Sequence, residues 1–341
     1  MIKEYEIIVL VDSGIGNAIE ALYAVEYCLE NNKKVGIFLN NISQSFQNYL
    51  SECYGNEVIL NSLDKIKTNV LLHSFTYHDD FQLDYKYYFY IQPDFNSSKY
   101  KSETEQYLEI VRALYPSDFK SEVLVWLKED FSDKVRALQV ESKYVLYPGS
   151  TFPNAYKRWP HFKELISKLN EKNVLVLGGN DDLNTNYSYI YPKYITKIFP
   201  QIVLDSIYFW RFLKKAHLLL PFSHNEHLKT EKYAFFNTFS WHELVAIFKS
   251  CKQFVGNDGG LSQLAGAVGA SGIVLFGATS VEKNKAFNSK MKPVNLNYAC
   301  QPCQFSKVGI LAKKFYINCP YQIKCLADLK VEKITAILNQ L

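Results

Sequence analysis

Asp258, Gly259 and Gly260 stand inside a run, Phe254 to Thr279, whose residue types suit phosphate and sugar recognition. Phe254 and Val255 end a short apolar run, and the glycines that follow permit backbone approaches that a side chain would obstruct. Leu261, Leu264, Ala265 and Val268 then fall at i, i+3, i+4 and i+7, the period of a helix with one buried face, and Gly269 is placed to stop it. A helix that begins on such a turn offers unpaired N–H groups and the positive end of its dipole to an anion. Asp258, at the end of the preceding strand, can accept hydrogen bonds from a sugar. Read alone, the stretch also serves as a structural turn with Asp258 as a cap.

Four further groups carry chemistry. Ser150, Thr151 and Lys157 supply hydroxyls and a positive charge near strand ends, as a leaving nucleoside diphosphate requires. Gly14 and Gly16 lie in Gly14-Ile15-Gly16-Asn17, a short glycine loop between a strand and a helix that is either a nucleotide motif or a tight packing turn. Cys300, Cys303, Cys319 and Cys325 form a four-thiolate set suited to tetrahedral zinc or a single iron; the alternative is four reduced cysteines in a packed loop. His73, His78, Asp79 and Asp80 sit near another strand end, where open α/β sheets place their ligands, though packed or solvated residues look the same in sequence.

The elements that must position these residues alternate strand and helix. Tyr5 to Val11, Lys34 to Leu39, Val58 to Leu60, Val70 to His73 and Tyr87 to Gln92 read as strands of a first unit, with a helix from Ala18 to Leu29. Glu122 to Glu141 is the expected passage to a second unit, which opens with strand Tyr144 to Tyr147, helix Phe162 to Leu169 and strand Val174 to Leu177. Asn184 to Asn237 reads as an aromatic insertion, and order returns at the capping box Ser240-x-x-Glu243, which leaves His242 on the solvent side. Cys28, Cys53 and Cys251 read as core residues, and Val331, Ile334, Leu338 and Leu341 define a final amphipathic helix.

A chain of 341 residues with 48% apolar content can fill two cores. No apolar run reaches the ~20 residues of a membrane span, and the charged start, MIKEYEIIVLVD, is unlike a signal peptide, so a cytoplasmic protein is expected. The net charge of +4 is uneven: Glu282 to Leu341 holds ten Lys against three acids, a local +7, leaving −3 elsewhere. Such a surface would suit an anionic partner, including the inner face of a membrane, or could simply be solvated.

Taken together, VGNDGGLSQLAGAVGASGIVLFGATS, the Pro148-Gly149-Ser150 loop with Lys157-Arg158-Trp159-Pro160 and Gly178-Gly179, and GIGNAIEALYAVEYC resemble, in order, the motifs of the family 9 glycosyltransferases. Three motifs in the right order are far more specific than one. The resemblance implies an α/β protein of two Rossmann-like domains facing across a cleft (GT-B). Residues 1–140 would bind the acceptor. Residues 141–327 would bind the nucleotide sugar and carry a Cys-rich metal-finger element at 300–325, and 328–341 would form a helix able to cross back to the first domain. It implies inverting transfer of a sugar, ADP-heptose by analogy, to a saccharide, lipid-linked, lipopolysaccharide-core or protein acceptor. The donor would meet Ser150, Thr151, Lys157, Asp181 (or its neighbour Asp182), Asp258, Gly259 and Gly260; Gly14, Gly16, Asn17 and Gln263 would face the substrates. Gln263 stands where the family usually has His, and Asn17 where it often has Asp.

A neutral amide at 17 cannot take the acceptor's proton, so the base is sought nearby. Glu20, one helical turn later, is preferred, with Asp12 as the alternative. Relatives with similar cysteine elements use them for a metal finger, which raises the expectation of a structural metal and of an oligomer. A GT-B nucleotide-sugar epimerase and a non-catalytic metal-finger assembly or nucleic-acid module are the competing readings. The ordered donor motifs argue against the module.

Overall fold

The computed structural model describes residues 2–12, 14–74, 81–91, 101–150, 154–179, 182–183, 225–303 and 323–341. Thr151, Asp181, Cys319, His78, Asp79 and Asp80, together with most of the expected insertion, lie outside them.

The first domain is built on β1 (Lys3–Asp12), α1 (Ile15–Glu30), β2 (Val35–Asn40), α2 (Gln44–Tyr54), β3 (Ile59–Leu60), β4 (Ile66–His73), β5 (Asp84–Tyr90) and α3 (Glu103–Leu114). Its described strands pair in parallel in the order β3-β2-β1-β4-β5. The continuous run Ile7 to Val11 suits a central strand buried on both faces: Ile7, Val9 and Val11 join the core beneath the helices, while Ile8 and Leu10 belong to a separate cluster. Strand order reverses about β1 and β4, so Asp12 and Gly14 leave the sheet at its switch point, beside His73 and Ser74.

A short helix α4 (Asp133–Ala137) lies in the passage between the domains. The second domain comprises β6 (Tyr144–Tyr147), α5 (Phe162–Leu169), β7 (Val174–Gly178), β8 (Ala234–Phe236), α6 (Trp241–Ser250), β9 (Gln253–Asn257), α7 (Gly260–Ala267), β10 (Gly272–Leu275), α8 (Val281–Asn284), β11 (Met291–Val294), α9 (Lys324–Ala327) and α10 (Val331–Leu338). Its described strands, also parallel, run β11-β10-β9-β6-β7-β8, with the switch point between β9 and β6.

One face of this second sheet packs on α5 and α10. The expectation that the final helix crosses back to the first domain is therefore corrected: Val331, Ile334 and Leu338 enter the second domain's core, and Gln253 donates to the Leu338 carbonyl at 2.8 Å. The opposite face, with α6 and α7, shares one continuous core with α1, α2 and α3 of the first domain. The passage is likewise no free linker. The Leu124 amide donates to Ala267 O at 2.7 Å, and Lys134 pairs with Glu243 at 3.0 Å. His242 also departs from its expected solvent position. Its ring meets Tyr49 edge-on at 4.7 Å and its Nε2 lies 3.2 Å from Glu52, so it belongs to the contact between α6 and α2.

Candidate active site at the domain junction

The loops at the second domain's switch point are held by two buried side chains. Asn257, wholly buried at the end of β9, donates to the carbonyls of Pro148 and Gly149 at 2.8 and 3.1 Å and accepts from the Trp159 amide at 3.0 Å. Arg158, buried rather than on the surface, donates through Nε to the Ser150 carbonyl at 3.1 Å. These bonds tie the loop after β6 to the one before α5 and bring both to the switch point. Asp182 is a fastener as well: its Oδ2 accepts from the Gly179 amide at 2.6 Å and its Oδ1 from the Tyr147 hydroxyl at 3.2 Å.

The fastened loops bring Lys157 to Asp258, with Nζ 3.0 Å from Oδ2, although the two stand 101 residues apart in sequence. Asn284 Nδ2 donates to the same oxygen at 2.9 Å. Burial works against ionising Asp258, but the Lys157 ammonium and the hydrogen bonds from Asn284 and Lys157 outweigh it and hold the carboxyl below the usual aspartate range. Gly259 and Gly260 follow at once, with Gly260 opening α7.

The first domain meets this point through α1. Gly14 has φ of 97°, a conformation that favours glycine, and it turns the chain from β1 into α1 so that Ile15 and Gly16 lie on the start of α7. A Cβ on Gly260 would come within 3.1 Å of the Ile15 Cβ. One turn further, Glu20 crosses the junction, and its Oε1 accepts from Gln263 Nε2 at 3.4 Å. Gln263, where a His was expected from the resemblance, also donates to the Asn284 carbonyl at 2.5 Å. Glu20 is 4% exposed, and its Oε2 accepts no hydrogen bond among the described residues. Burial first, then the neighbouring Glu103 charge, push the Glu20 carboxyl well above the usual glutamate range; Lys283 and Lys157 pull it partly back. Asp12 is occupied differently, accepting from Asn41 Nδ2 at 2.8 Å.

Sequence reasoning did not find Glu103 and Lys283. Glu103, at the first position of α3, is fully buried and lies 2.6 Å from the Lys283 ammonium of α8, so an ion pair spans the domains. The signal was present: Ser102-x-x-Glu105 is a capping box that marks a helix start, and both of its hydrogen bonds form. Between Asn40 and Lys143 the sequence reading rests on strands and on His73, His78, Asp79 and Asp80, and not on this helix start.

The cysteines are placed only in part. Cys303 and Cys325 are buried and Cys300 half-buried, with Cys319 outside the described residues. Among the described residues no group of three or more His, Cys, Asp or Glu could hold a metal ion, and no described helix is long and apolar enough to cross a membrane.

Residues 223–311, which include Asp258, Gly260, Gln263 and Lys283 but not Lys157 or Glu20, match glycosyltransferase family 9 (heptosyltransferase). No curated protein matches the chain by sequence search. Among solved structures it is similar to the Escherichia coli ADP-heptose LPS heptosyltransferase II, at 13% identity over 98% of this chain and 99% of that one, with a TM-score of 0.54. E. coli heptosyltransferase WaaC with ADP aligns at 10% identity over 98% and 99%, TM-score 0.55. TibC, an iron-containing dodecameric glycosyltransferase of enterotoxigenic E. coli, aligns at 12% identity over 99% of this chain and 76% of that one, TM-score 0.56. In the sequence of residues 223–311 and in the GT-B fold of nearly its whole length, this protein resembles the family 9 glycosyltransferases.

Proposed function

We propose that the protein is an inverting glycosyltransferase that binds a nucleotide sugar at the β6–β9 switch point and passes the sugar to a hydroxyl acceptor held on the first domain. The observation that carries this reading is the convergence of Lys157, Asp258, Gly260 and Glu20, from three separate segments and both domains, on one junction. Lys157 and the start of α7 would meet the diphosphate, and Asp258 the sugar hydroxyls. ADP-heptose is the first donor to try, since WaaC has been solved with ADP and TibC with ADP-D-β-D-heptose. Ser150, Thr151 and Asp181 complete the proposed donor site, with Gly14, Gly16 and Asn17 lining the acceptor side.

Glu20 is the proposed base. As the acceptor oxygen bonds to the anomeric carbon, the bond from that carbon to the phosphate oxygen breaks, the nucleoside diphosphate leaves with the electron pair, and the acceptor proton passes to the free Oε2 of Glu20. A carboxyl whose proton affinity is raised toward the working pH suits this task. The acceptor is taken to be a saccharide, as free, lipid-linked or protein-linked glycan.

Calorimetric titration with ADP, UDP, GDP and their sugars tests the reading. ADP-heptose should bind; absence of binding by every nucleotide and sugar nucleotide would overturn it. Nucleotide release that depends on acceptor separates a transferase from an epimerase. The four cysteines are proposed as ligands of one structural zinc or iron, supported by their spacing. Elemental analysis should find one metal per chain, and a chelator should lower the melting temperature.

A further inference from the structure

The junction buries three carboxylates, Glu20, Glu103 and Asp258, and the Lys283 ammonium, with the half-buried Lys157 at its edge. Leaving charge unpaired in such a place is costly, so the count must nearly balance. Asp258 and Lys157 neutralise each other at 3.0 Å. Two carboxyls then remain for one cation, and Lys283 is committed by contact to Glu103 at 2.6 Å. The main chain of Glu20 lies against α3, since Thr104, next to Glu103, donates its hydroxyl to the Glu20 main-chain carbonyl at 3.4 Å, and the buried Glu20 carboxyl feels the charges of both Glu103 and Lys283. Its only described side-chain partner is the Gln263 amide, which cannot neutralise an anion.

From this count and geometry we infer that Glu20 and Glu103 form a carboxyl pair holding one proton. Lys283 fixes the charge on Glu103 and the proton on Glu20, so Glu103 and Lys283 are positioning residues for the transfer step. This deepens the proposed function and rests on Glu20 as its base. Two like charges at close range resist joint ionisation, and a nearby cation relieves the resistance. Around Glu20 the titratable and charged groups are Glu103 and Tyr107 on α3, Lys283 on α8, Asp258 after β9, Lys157 before α5, and Tyr23 on its own helix. Before it can accept the acceptor's proton, Glu20 must lose the shared one to solvent. Lys283, the cation in contact with the pair, stabilises the doubly ionised state that results.

The test needs no substrate. Infrared difference spectra between wild type and E20Q should show a protonated carboxyl band at neutral pH that disappears as pH rises. In E103Q the like charge is gone, and that band should vanish at a pH lower by on the order of one unit. In K283M the cation is gone, and the band should persist to a pH higher by about one unit. Absence of the band at neutral pH, or an unmoved titration in both variants, would overturn the shared proton. Should E103Q fail to fold, the upward shift in K283M decides alone. Transfer at the wild-type rate by E20Q would remove Glu20 as the base while leaving the infrared result to stand, so the two readings fail separately.

Discussion

The two halves of the junction are built on opposite electrostatic plans. On the second domain, Asp258 is ionised, paired with Lys157 and bonded by Asn284, and its charge is fixed over ordinary pH. On the first, Glu20 has one long bond to an amide and a carboxylate neighbour, and its oxygen Oε2 lacks a partner among the described residues. A permanently compensated carboxylate can orient a sugar hydroxyl but is a poor proton acceptor. An undercompensated one keeps a proton at rest and, once it has released it, is the stronger acceptor. The division of labour proposed for them, binding by Asp258 and proton transfer by Glu20, thus rests on how many counter-charges each carboxylate is given.

Removing Lys157 should give the largest loss on the second-domain side. Lys157→Ala strands the buried Asp258 charge and is expected to destabilise the protein by about 3 kcal/mol while weakening nucleotide-sugar binding. The neutral pair Lys157→Met with Asp258→Asn should recover most of the stability and none of the binding, as read by denaturant melts and calorimetry. Recovery of both would remove the pair from the donor site.

The same contrast accounts for what could be read in advance. That Lys157, Asp258 and the glycine turn lie at strand ends was legible because glycines and charged residues that follow apolar runs leave local motifs. Both sheets were legible from apolar runs such as Ile7 to Val11. Glu103 and Lys283 were hidden because their role arises only when α3 and α8, 180 residues apart in sequence, meet across the junction. Nothing near either residue in sequence announces the other. β8, at the edge of the second sheet, was also missed; Ala234-Phe235-Phe236 is too short to stand out from the aromatic residues around it. The docking of the final helix depended on tertiary packing that its amphipathic period does not specify.

Gly260 tests how closely the two halves must approach. A methyl group there would meet Ile15 Cβ at 3.1 Å and the Gly16 amide at 3.5 Å. Gly260→Ala should cost about 1 kcal/mol through overpacking, and Ile15→Ala in the same chain should relieve part of it. Full stability in the single variant would mean that the domains yield at this contact without strain.

The smallest effect concerns the contact between the passage and α6. Burial alone would raise the Glu243 carboxyl, but the Ser132 hydroxyl at 2.6 Å, the Ser240 amide at 2.8 Å and Lys134 at 3.0 Å bring it down to about 2. A carboxyl depressed on folding contributes stability that is present above its unfolded value, near ~4.3, and is lost as pH falls toward the folded one. Melting temperature should therefore fall between about pH 4 and pH 2, and Glu243→Gln should flatten that part of the curve. An unchanged acid limb in Glu243→Gln would assign the loss to other groups.

The central claim is that Glu20, and not a second-domain residue, takes the acceptor's proton. Single-turnover transfer from ADP-heptose to saccharide acceptors, followed by mass spectrometry alongside calorimetric donor binding, tests it directly. Glu20→Gln should bind the donor as wild type does and transfer its sugar about 10²- to 10⁴-fold more slowly. Transfer by Glu20→Gln at the wild-type rate would contradict it.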